Sequence, residues 1–259
     1  MAQFFRKLLR AVFNYDPSFC DMYENGPAQA VAAEYLSHIR HHLQEQFGDQ
    51  RLSMLDAGCQ AGRLLIPLAQ DGHRMIGLDA SKFAFRRVQH HVKTYRLAIR
   101  LIRGDLTYLP RWIKPESLDA AICAEVLYLC QNYQTLLRLL VEAVKPGGLL
   151  FVAHRPTLYY VSKALLGGKP DQAAAFLDRN EGPSTDGAYH NWQTPEQLAA
   201  LYRSIGLRVI ACYPIDQQAI QLNLSQASEP VAQLLKATMV KNACYIPTYF
   251  LIIAQKTRD

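Results

Sequence analysis

The chain has 259 residues, of which half are apolar and 19% are charged. This composition excludes an intrinsically disordered chain and predicts one globular domain with a large buried core. The net charge of +6 is modest and dispersed, so charge alone indicates neither a nucleic-acid nor a membrane partner.

Residues 1–13 carry apolar groups at helical spacing between Arg6, Lys7 and Arg10. We interpret this segment as a helical cap on the domain; the alternative is a basic helix that contacts a membrane surface. Its apolar stretches are too broken for a signal peptide or a membrane span. The cysteines are scattered without metal-site spacing, which predicts reduced thiols and a cytoplasmic location.

The central part of the chain alternates between helical and strand-like patterns. Strand-like runs occur at residues 52–55, 75–78, 99–102, 118–123 and 149–153. Helical patterns occur at residues 27–47, 62–70, 81–95 and 131–144. The alternation predicts an α/β fold with a doubly wound, Rossmann-like parallel sheet, in which ligands bind at the carboxyl ends of the strands.

The alternation of helical and strand-like patterns ends at Pro156, and the residues that follow are rich in aromatics and contain several glycines. Thr194 is predicted to cap a helix that runs to about residue 204. Two closing strands, at residues 207–212 and 249–254, with a helix at 230–240 between them, complete the prediction. The proposed organisation is one domain, with a cap at 1–50, a core at 51–155, an insertion at 156–192 and a closing part at 193–259.

A glycine-containing turn follows the first predicted strand. Asp56, Gly58 and Gly62 lie where this strand passes into a helix. A ligand can approach bare backbone at Gly58, and the helix N-terminus offers free N–H groups. This motif alone has little specificity.

Three further carboxylates follow the next strands. Asp79 ends the second strand about 20 residues after Gly58, the interval at which an acidic side chain reaches ribose hydroxyls. Asp105 follows the third strand and Glu125 the fourth. Asp56, Asp79 and Asp105 could each instead be a helix cap or turn former, but three aspartates in order at one sheet edge favour a ligand site.

These motifs, with the Pro-Gly-Gly turn at 146–148, resemble the class I S-adenosylmethionine-dependent methyltransferases. The resemblance implies a seven-stranded sheet whose last strand is antiparallel. It implies Asp56 and Gly58 near the methionine end of the cofactor, Asp79 on the ribose and Asp105 on the adenine amine. The full implied set of cofactor contacts is Asp56, Gly58, Cys59, Gln60, Gly62, Asp79, Ala80, Asp105, Leu106 and Glu125.

Two departures from the family pattern stand out. Gln60 replaces a glycine that is usual between Gly58 and Gly62, so its side chain must turn away from the cofactor or narrow the pocket. The text around Glu125 is similar to the ubiquinone-biosynthesis O-methyltransferases, but Tyr128 and Leu129 stand where those enzymes have a Glu-His pair implicated in metal binding. We therefore predict no catalytic metal.

Most candidate acceptor residues follow the fifth strand and precede the late helix, and Tyr128 follows the fourth strand. His190 and His154 are the candidate general bases. Candidate acceptor-binding residues are Tyr128, Arg155, Tyr159, Tyr189 and Trp192. They would bind a small molecule of anionic or aromatic character; the alternative is an aromatic core beneath a lid.

Other functions fit the same residues less well. A dinucleotide oxidoreductase would need G-x-G-x-x-G, which the loop lacks. A nucleic-acid methylase would need an Asn/Asp-Pro-Pro-Tyr/Phe motif after the fourth strand and a dense basic tract. A non-catalytic protein that kept the fold, and a membrane-surface quinone or lipid methyltransferase, remain as alternatives. The sequence does not predict the oligomeric state.

Overall fold

The computed structural model describes residues 21–220, 227–237, 239–240 and 243–258. The helix predicted at residues 1–13 lies outside the described residues. The chain divides into two compact units, one ending at Ile122 and the other beginning at Cys123. The finer division at residues 50, 155 and 192 stays a prediction. No helix among the described residues is long and apolar enough to span a membrane.

The first helix among the described residues of this unit is α1, Gly26–Phe47. Asn25 caps this helix, since its side chain accepts a hydrogen bond from the N–H of Ala28 at 3.0 Å. Tyr35 and Ile39 are fully buried on one face of the helix. The predicted helix therefore forms almost within its predicted bounds.

Four parallel strands follow, namely β1 Ser53–Ala57, β2 Arg74–Asp79, β3 Arg100–Arg103 and β4 Leu118–Cys123. Their spatial order is β3-β2-β1-β4. Helices α2 Leu65–Gln70 and α3 Lys82–Thr94 connect the first three strands, and a short 3-10 helix, Leu106–Arg111, follows β3. Strands β2 and β3 lie on one side of β1, whereas β4 pairs with β1 on its other side. This change of side places a topological switch point at β1.

The second unit has an antiparallel arrangement of strands, three of which are long. They are β5 Val144–His154, β8 Leu207–Ile220, the two-residue β9 Met239–Val240 and β10 Ala243–Lys256. Strand β10 lies between β5 and β8 and also pairs with β9. The helices of this unit include a 3-10 turn Leu127–Leu129, α4 Tyr133–Ala143, α7 Pro195–Ser204 and α8 Glu229–Lys236. The predicted cap at Thr194 forms, as a capping box with Gln197.

The segment after β5 is more regular than the sequence pattern predicted. It contains α5 Thr157–Leu166, α6 Pro170–Ala175 and a hairpin of β6 Glu181–Pro183 with β7 Tyr189–Asn191. Its apolar side chains form one buried cluster around Tyr160, Phe176 and Trp192. The glycines and aromatics obscured the helical spacing, and packing of the aromatics stabilises the helices.

Candidate active site

The turn from β1 into α2 is a tight loop built on glycine. Gly58 and Gly62 have φ angles of 81° and 99°, in the left-handed region that glycine adopts without strain. The N–H groups of Gly58 and Cys59 both donate to the carbonyl oxygen of Leu78, at 2.7 and 3.1 Å. A Cβ on Gly62 would lie 3.1 Å from Val88 of α3, so this glycine also permits close packing.

Asp79 lies at the end of β2 and organises the neighbouring turns. Its Oδ2 accepts from the N–H of Gln60 at 2.9 Å, and its Oδ1 accepts from the N–H of Ser81 at 2.8 Å. Its carbonyl oxygen accepts from Gly104 at 3.0 Å, which brings the turn after β3 alongside. Burial raises the pKa of this half-buried carboxyl group. Ala80 beside it is exposed.

The turn after β3 presents Asp105 at the surface. Its Oδ1 accepts from the N–H of Thr107 at 2.8 Å and caps the short 3-10 helix. Hydrogen bonds from Thr107 lower the pKa of Asp105, so it is ionised near neutral pH. Leu106 next to it is buried. Asp105 therefore has both the capping role and the exposure that a ligand contact requires.

Asp56 differs from the other two aspartates because it is only 3% exposed. It accepts a hydrogen bond from the backbone of Leu65 at the start of α2, and Arg63 lies close enough to favour its charged form. Burial is the larger effect and raises its pKa to about 7. The side chain is thus a buried hydrogen-bond acceptor beneath α2, and its predicted place near the methionine end stays a prediction.

The donor and acceptor groups of this edge fit an adenosyl cofactor. Each oxygen of Asp79 makes one backbone hydrogen bond, which leaves acceptor capacity for ribose hydroxyls. Asp105 offers an exposed carboxylate to an amine donor. The Oε1 atom of Gln60 already accepts from the N–H of Ala61 at 2.6 Å, so this N–H is not available to a cofactor carboxylate.

In the second unit, three tyrosine rings surround the guanidinium of Arg155. The centroids of Tyr128, Tyr159 and Tyr249 lie 4.5, 4.3 and 4.7 Å from its Cζ atom. Arg155 donates to the Tyr249 hydroxyl at 2.6 Å, and that hydroxyl donates to Glu125 at 3.0 Å. Glu125 has a left-handed φ of 62°. The fold thus brings together the predicted site residues Glu125, Tyr128, Arg155 and Tyr159. It adds Tyr249, for which the sequence predicted only a place in a strand.

The charge of Arg155 has no direct counter-ion in the described part of the chain. Its recorded partners are tyrosines, and its Nε atom is buried without a hydrogen-bond partner. A half-buried cation of this kind is stabilised by an anion that binds beside it.

His190 lies on β7 next to this group and is 9% exposed. Its Nδ1 atom lies 2.7 Å from the Tyr160 hydroxyl, and its ring contacts that of Tyr128 edge-on. Burial lowers the pKa of His190, with a further contribution from the Arg155 charge. The imidazole is therefore neutral near pH 7, as a general base must be.

His154 occupies a different environment. It is 0% exposed, and its Nε2 atom lies 2.8 Å from the hydroxyl of Tyr202. Burial lowers its pKa to about 3. Because a base must reach its substrate, the structure argues against His154, predicted from its position after β5, and favours His190.

The other two predicted acceptor residues also differ in exposure. Tyr189 is partly exposed and donates to Glu181 at 2.8 Å. Trp192 is 0% exposed, and its Nε1–H donates to the carbonyl of Arg179 at 2.8 Å. Trp192 is thus part of the core of the insertion, as the aromatic-core alternative predicted. Asn191 between them donates to the carbonyl of Leu127 at 2.8 Å, a link that no sequence signal indicated.

Comparison with known proteins gives consistent results. Residues 55–152 match the protein family described as "Methyltransferase domain". The ubiquinone biosynthesis O-methyltransferase of Methylobacterium sp. (strain 4-46) is 29% identical over 182 residues, which cover 66% of each chain. The chain spans less than two thirds of the length of the curated relatives that it matches first.

Two solved structures share the fold at low sequence identity. The 1,6-didemethyltoxoflavin-N1-methyltransferase of Burkholderia thailandensis has a TM-score of 0.58 and 16% identity, and the match covers 99% of this chain and 91% of that one. The magnesium protoporphyrin IX methyltransferase of Synechocystis PCC 6803 has a TM-score of 0.59 and 15% identity, with coverage of 98% and 99%. Both were crystallised with S-adenosylhomocysteine.

These matches confirm the predicted fold class, a Rossmann-like sheet with seven main strands and an antiparallel last strand, to which the two-residue β9 adds an eighth. The predicted cofactor, S-adenosylmethionine, is consistent with the S-adenosylhomocysteine bound in both of those structures. Residues 55–152 are thus similar to the methyltransferase domain family, and the chain shares its fold with S-adenosylmethionine-dependent methyltransferases of known structure.

Proposed function

We propose that this chain transfers the methyl group of S-adenosylmethionine to a small-molecule acceptor by direct in-line displacement, without a catalytic metal. The observation that carries the proposal is the pairing of Asp79 with the glycine loop inside a methyltransferase domain. The bound cofactor supplies a methyl group already activated on a sulfonium, so the task of the protein is to align the acceptor.

The cofactor-binding roles follow from the site. Asp79 would hold the ribose hydroxyls, and Asp105 would accept from the adenine amine beside Leu106. Gly58 would let the cofactor approach the backbone, and Cys59 would contribute mainly its backbone, since its side chain is buried. These assignments rest on the family resemblance and on the acceptor capacity of the carboxylates.

The acceptor is proposed to carry an anionic group close to an aromatic ring. Arg155 supports the anion, because its recorded partners are tyrosines and its Nε atom is unused. Tyr128 and Tyr159 support the ring, since they could stack on a planar molecule as they now pack on the guanidinium. Tyr189 is partly exposed and stays a candidate for this role.

His190 is the proposed general base for a hydroxyl acceptor. The O-methyltransferase relatives favour this type of acceptor, whereas a thiolate or an amine would need no base. Neutral imidazole carries one proton, so Nε2 can accept only when Nδ1 holds the proton and donates it to Tyr160. Tyr160 would therefore position His190 and fix its tautomer.

Two alternatives predict different binding behaviour. A non-catalytic protein that retained the fold would bind the cofactor without turnover, or would not bind it. A membrane-surface enzyme would lose liposome binding when residues 1–13 are deleted. A cytoplasmic location remains a prediction from the scattered cysteines, and no nucleic-acid partner is proposed.

Isothermal titration with S-adenosylmethionine and S-adenosylhomocysteine tests the proposal first. We expect micromolar binding of both, followed by methyl transfer to phenols that carry a carboxylate or phosphate group. The rate should be unchanged by EDTA, and restoration of lost activity by magnesium would contradict the metal-free mechanism. A folded protein that binds neither ligand would instead be a non-catalytic scaffold.

A further inference from the structure

Gln60 connects the glycine loop to the segment that precedes α1. Its Oε1 atom accepts from the N–H of Met22 at 3.2 Å as well as from Ala61. Its own N–H donates to Asp79. One residue thus joins residues 21–25, here called the strap, to the carboxylate proposed to hold the ribose.

A second set of contacts joins the strap to α3. Asp21 accepts from Arg87 at 2.5 Å and lies 3.2 Å from Nε2 of His91. Arg87 also donates to Glu24 at 2.7 Å. The ring of Tyr23 packs on that of His91, with centroids 4.5 Å apart. Arg87 and His91 both lie on α3, the helix that follows Asp79 in the chain, so these contacts hold the strap independently of Gln60.

The backbone conformation of Gln60 is strained, which indicates that its contacts hold it in place. Its φ of 46° lies in the left-handed region, where glycine is unstrained and glutamine is not. Such strain persists only where the surroundings hold the residue in place, and here the contacts to Met22, Ala61 and Asp79 do so. A glycine would relieve the strain but would lose the link to the strap.

We propose that Gln60 is a positioning residue that fastens the strap beside the cofactor loop, so that the cofactor dissociates only after the Met22–Gln60 contact opens. The inference rests on the proposed function, because it assumes that the cofactor binds at Asp79. Arg87 acts on the same strap from α3, so the two fastenings should act together.

Dissociation of tritiated S-adenosylhomocysteine, chased with excess unlabelled ligand, tests this in the full chain. Gln60→Met keeps the size of the side chain but removes the acceptor, and Gln60→Gly also removes the strain. We expect each, and Arg87→Met, to raise the dissociation rate at least tenfold, with no further increase in Gln60→Met/Arg87→Met. Arg86→Met is the matched control, since this neighbour is exposed and should leave the rate unchanged.

Hydrogen exchange of the cofactor-free protein gives an independent measurement. In Gln60→Met we expect the amide of Met22 to exchange at least tenfold faster, while amides of α1 and β1 keep their rates. Unchanged exchange at Met22, or unchanged dissociation in a folded variant, would overturn the proposal. Failure of the wild-type chain to bind S-adenosylhomocysteine would instead overturn the proposed function, and Met22 exchange would still decide whether Gln60 holds the strap.

Discussion

The hydroxyl of Tyr160 lies 2.7 Å from Nδ1 of His190, and both residues belong to the insertion after β5. This contact orients the imidazole, and when Nδ1 holds the proton and donates it to Tyr160, Nε2 is the atom that can take a proton from an acceptor. The arrangement of a base and a residue that orients it is a common feature of enzymes that activate hydroxyl groups.

Replacing His190 by Gln should lower kcat for a hydroxyl acceptor by about 10²–10⁴-fold. Affinity for S-adenosylhomocysteine should not change, because His190 is not among the proposed cofactor contacts. Tyr160→Phe should give a smaller loss, since it removes only the hydrogen bond that orients the ring. Steady-state kinetics with titration calorimetry measure both effects, and a fully active His190→Gln enzyme would exclude the base role.

The pH dependence of the reaction should also report His190. Burial lowers its pKa, so the neutral base persists below the ordinary histidine value of about 6.5. The acidic limb of the kcat/KM profile should therefore have its midpoint below about 6.5 and should disappear in His190→Gln. A midpoint well above that value would indicate another base.

Replacing Arg155 by Met should raise KM for an anionic acceptor. A hydrogen bond to a charged group contributes about 1.5–3 kcal/mol, which corresponds to about 10–150-fold. The loss should be absent for an uncharged analogue of the same acceptor. Lys163→Met is the matched control, because Lys163 also lies over the Tyr159 ring but is exposed. Equal losses for charged and uncharged acceptors would indicate a packing role.

Asp79→Ala should weaken binding of S-adenosylmethionine by about 1.5–3 kcal/mol through loss of charge-assisted ribose hydrogen bonds. Asp79 also accepts from Gln60 and Ser81, so Asp79→Asn, which keeps one acceptor oxygen, separates ligand binding from loop structure. Calorimetry and thermal unfolding should be run on both variants. Unchanged affinity in a folded variant would refute the assignment.

Asp56→Asn should stabilise the protein at alkaline pH. Burial raises the pKa of Asp56 from 3.8 to about 7, so its contribution to stability is present below pH 3.8 and is lost as the pH rises through 7. Each pKa unit is worth about 1.36 kcal/mol, which sets an upper value of about 4 kcal/mol above pH 8. Denaturant unfolding at pH 5 and 8.5 should show the advantage of the Asp56→Asn variant growing with pH; a constant difference would contradict it.

The local elements could be predicted because their signals are local. The strands that end around Asp56 and Asp79, and the strand before Asp105, were evident from short apolar runs. The cap at Thr194 was evident from residue type and position. The helices that follow Pro156 were missed because their amphipathic spacing is mixed with aromatics that pack against Phe176 and Trp192. Their stability depends on tertiary contacts that spacing alone does not reveal.

The sequence by itself determined where the strands occur along the chain, the glycine loop and the carboxylates near the strand ends. These features depend on backbone conformation and strand periodicity, which neighbouring residues set. Only the tertiary structure decided that Asp56 and His154 are buried while Asp105 and Arg155 remain accessible or unsatisfied. It also brought Tyr249 to Glu125, which lies 124 residues away in sequence. The physical reason is that desolvation and long-range pairing depend on which surfaces pack together, and no spacing within a single segment encodes that.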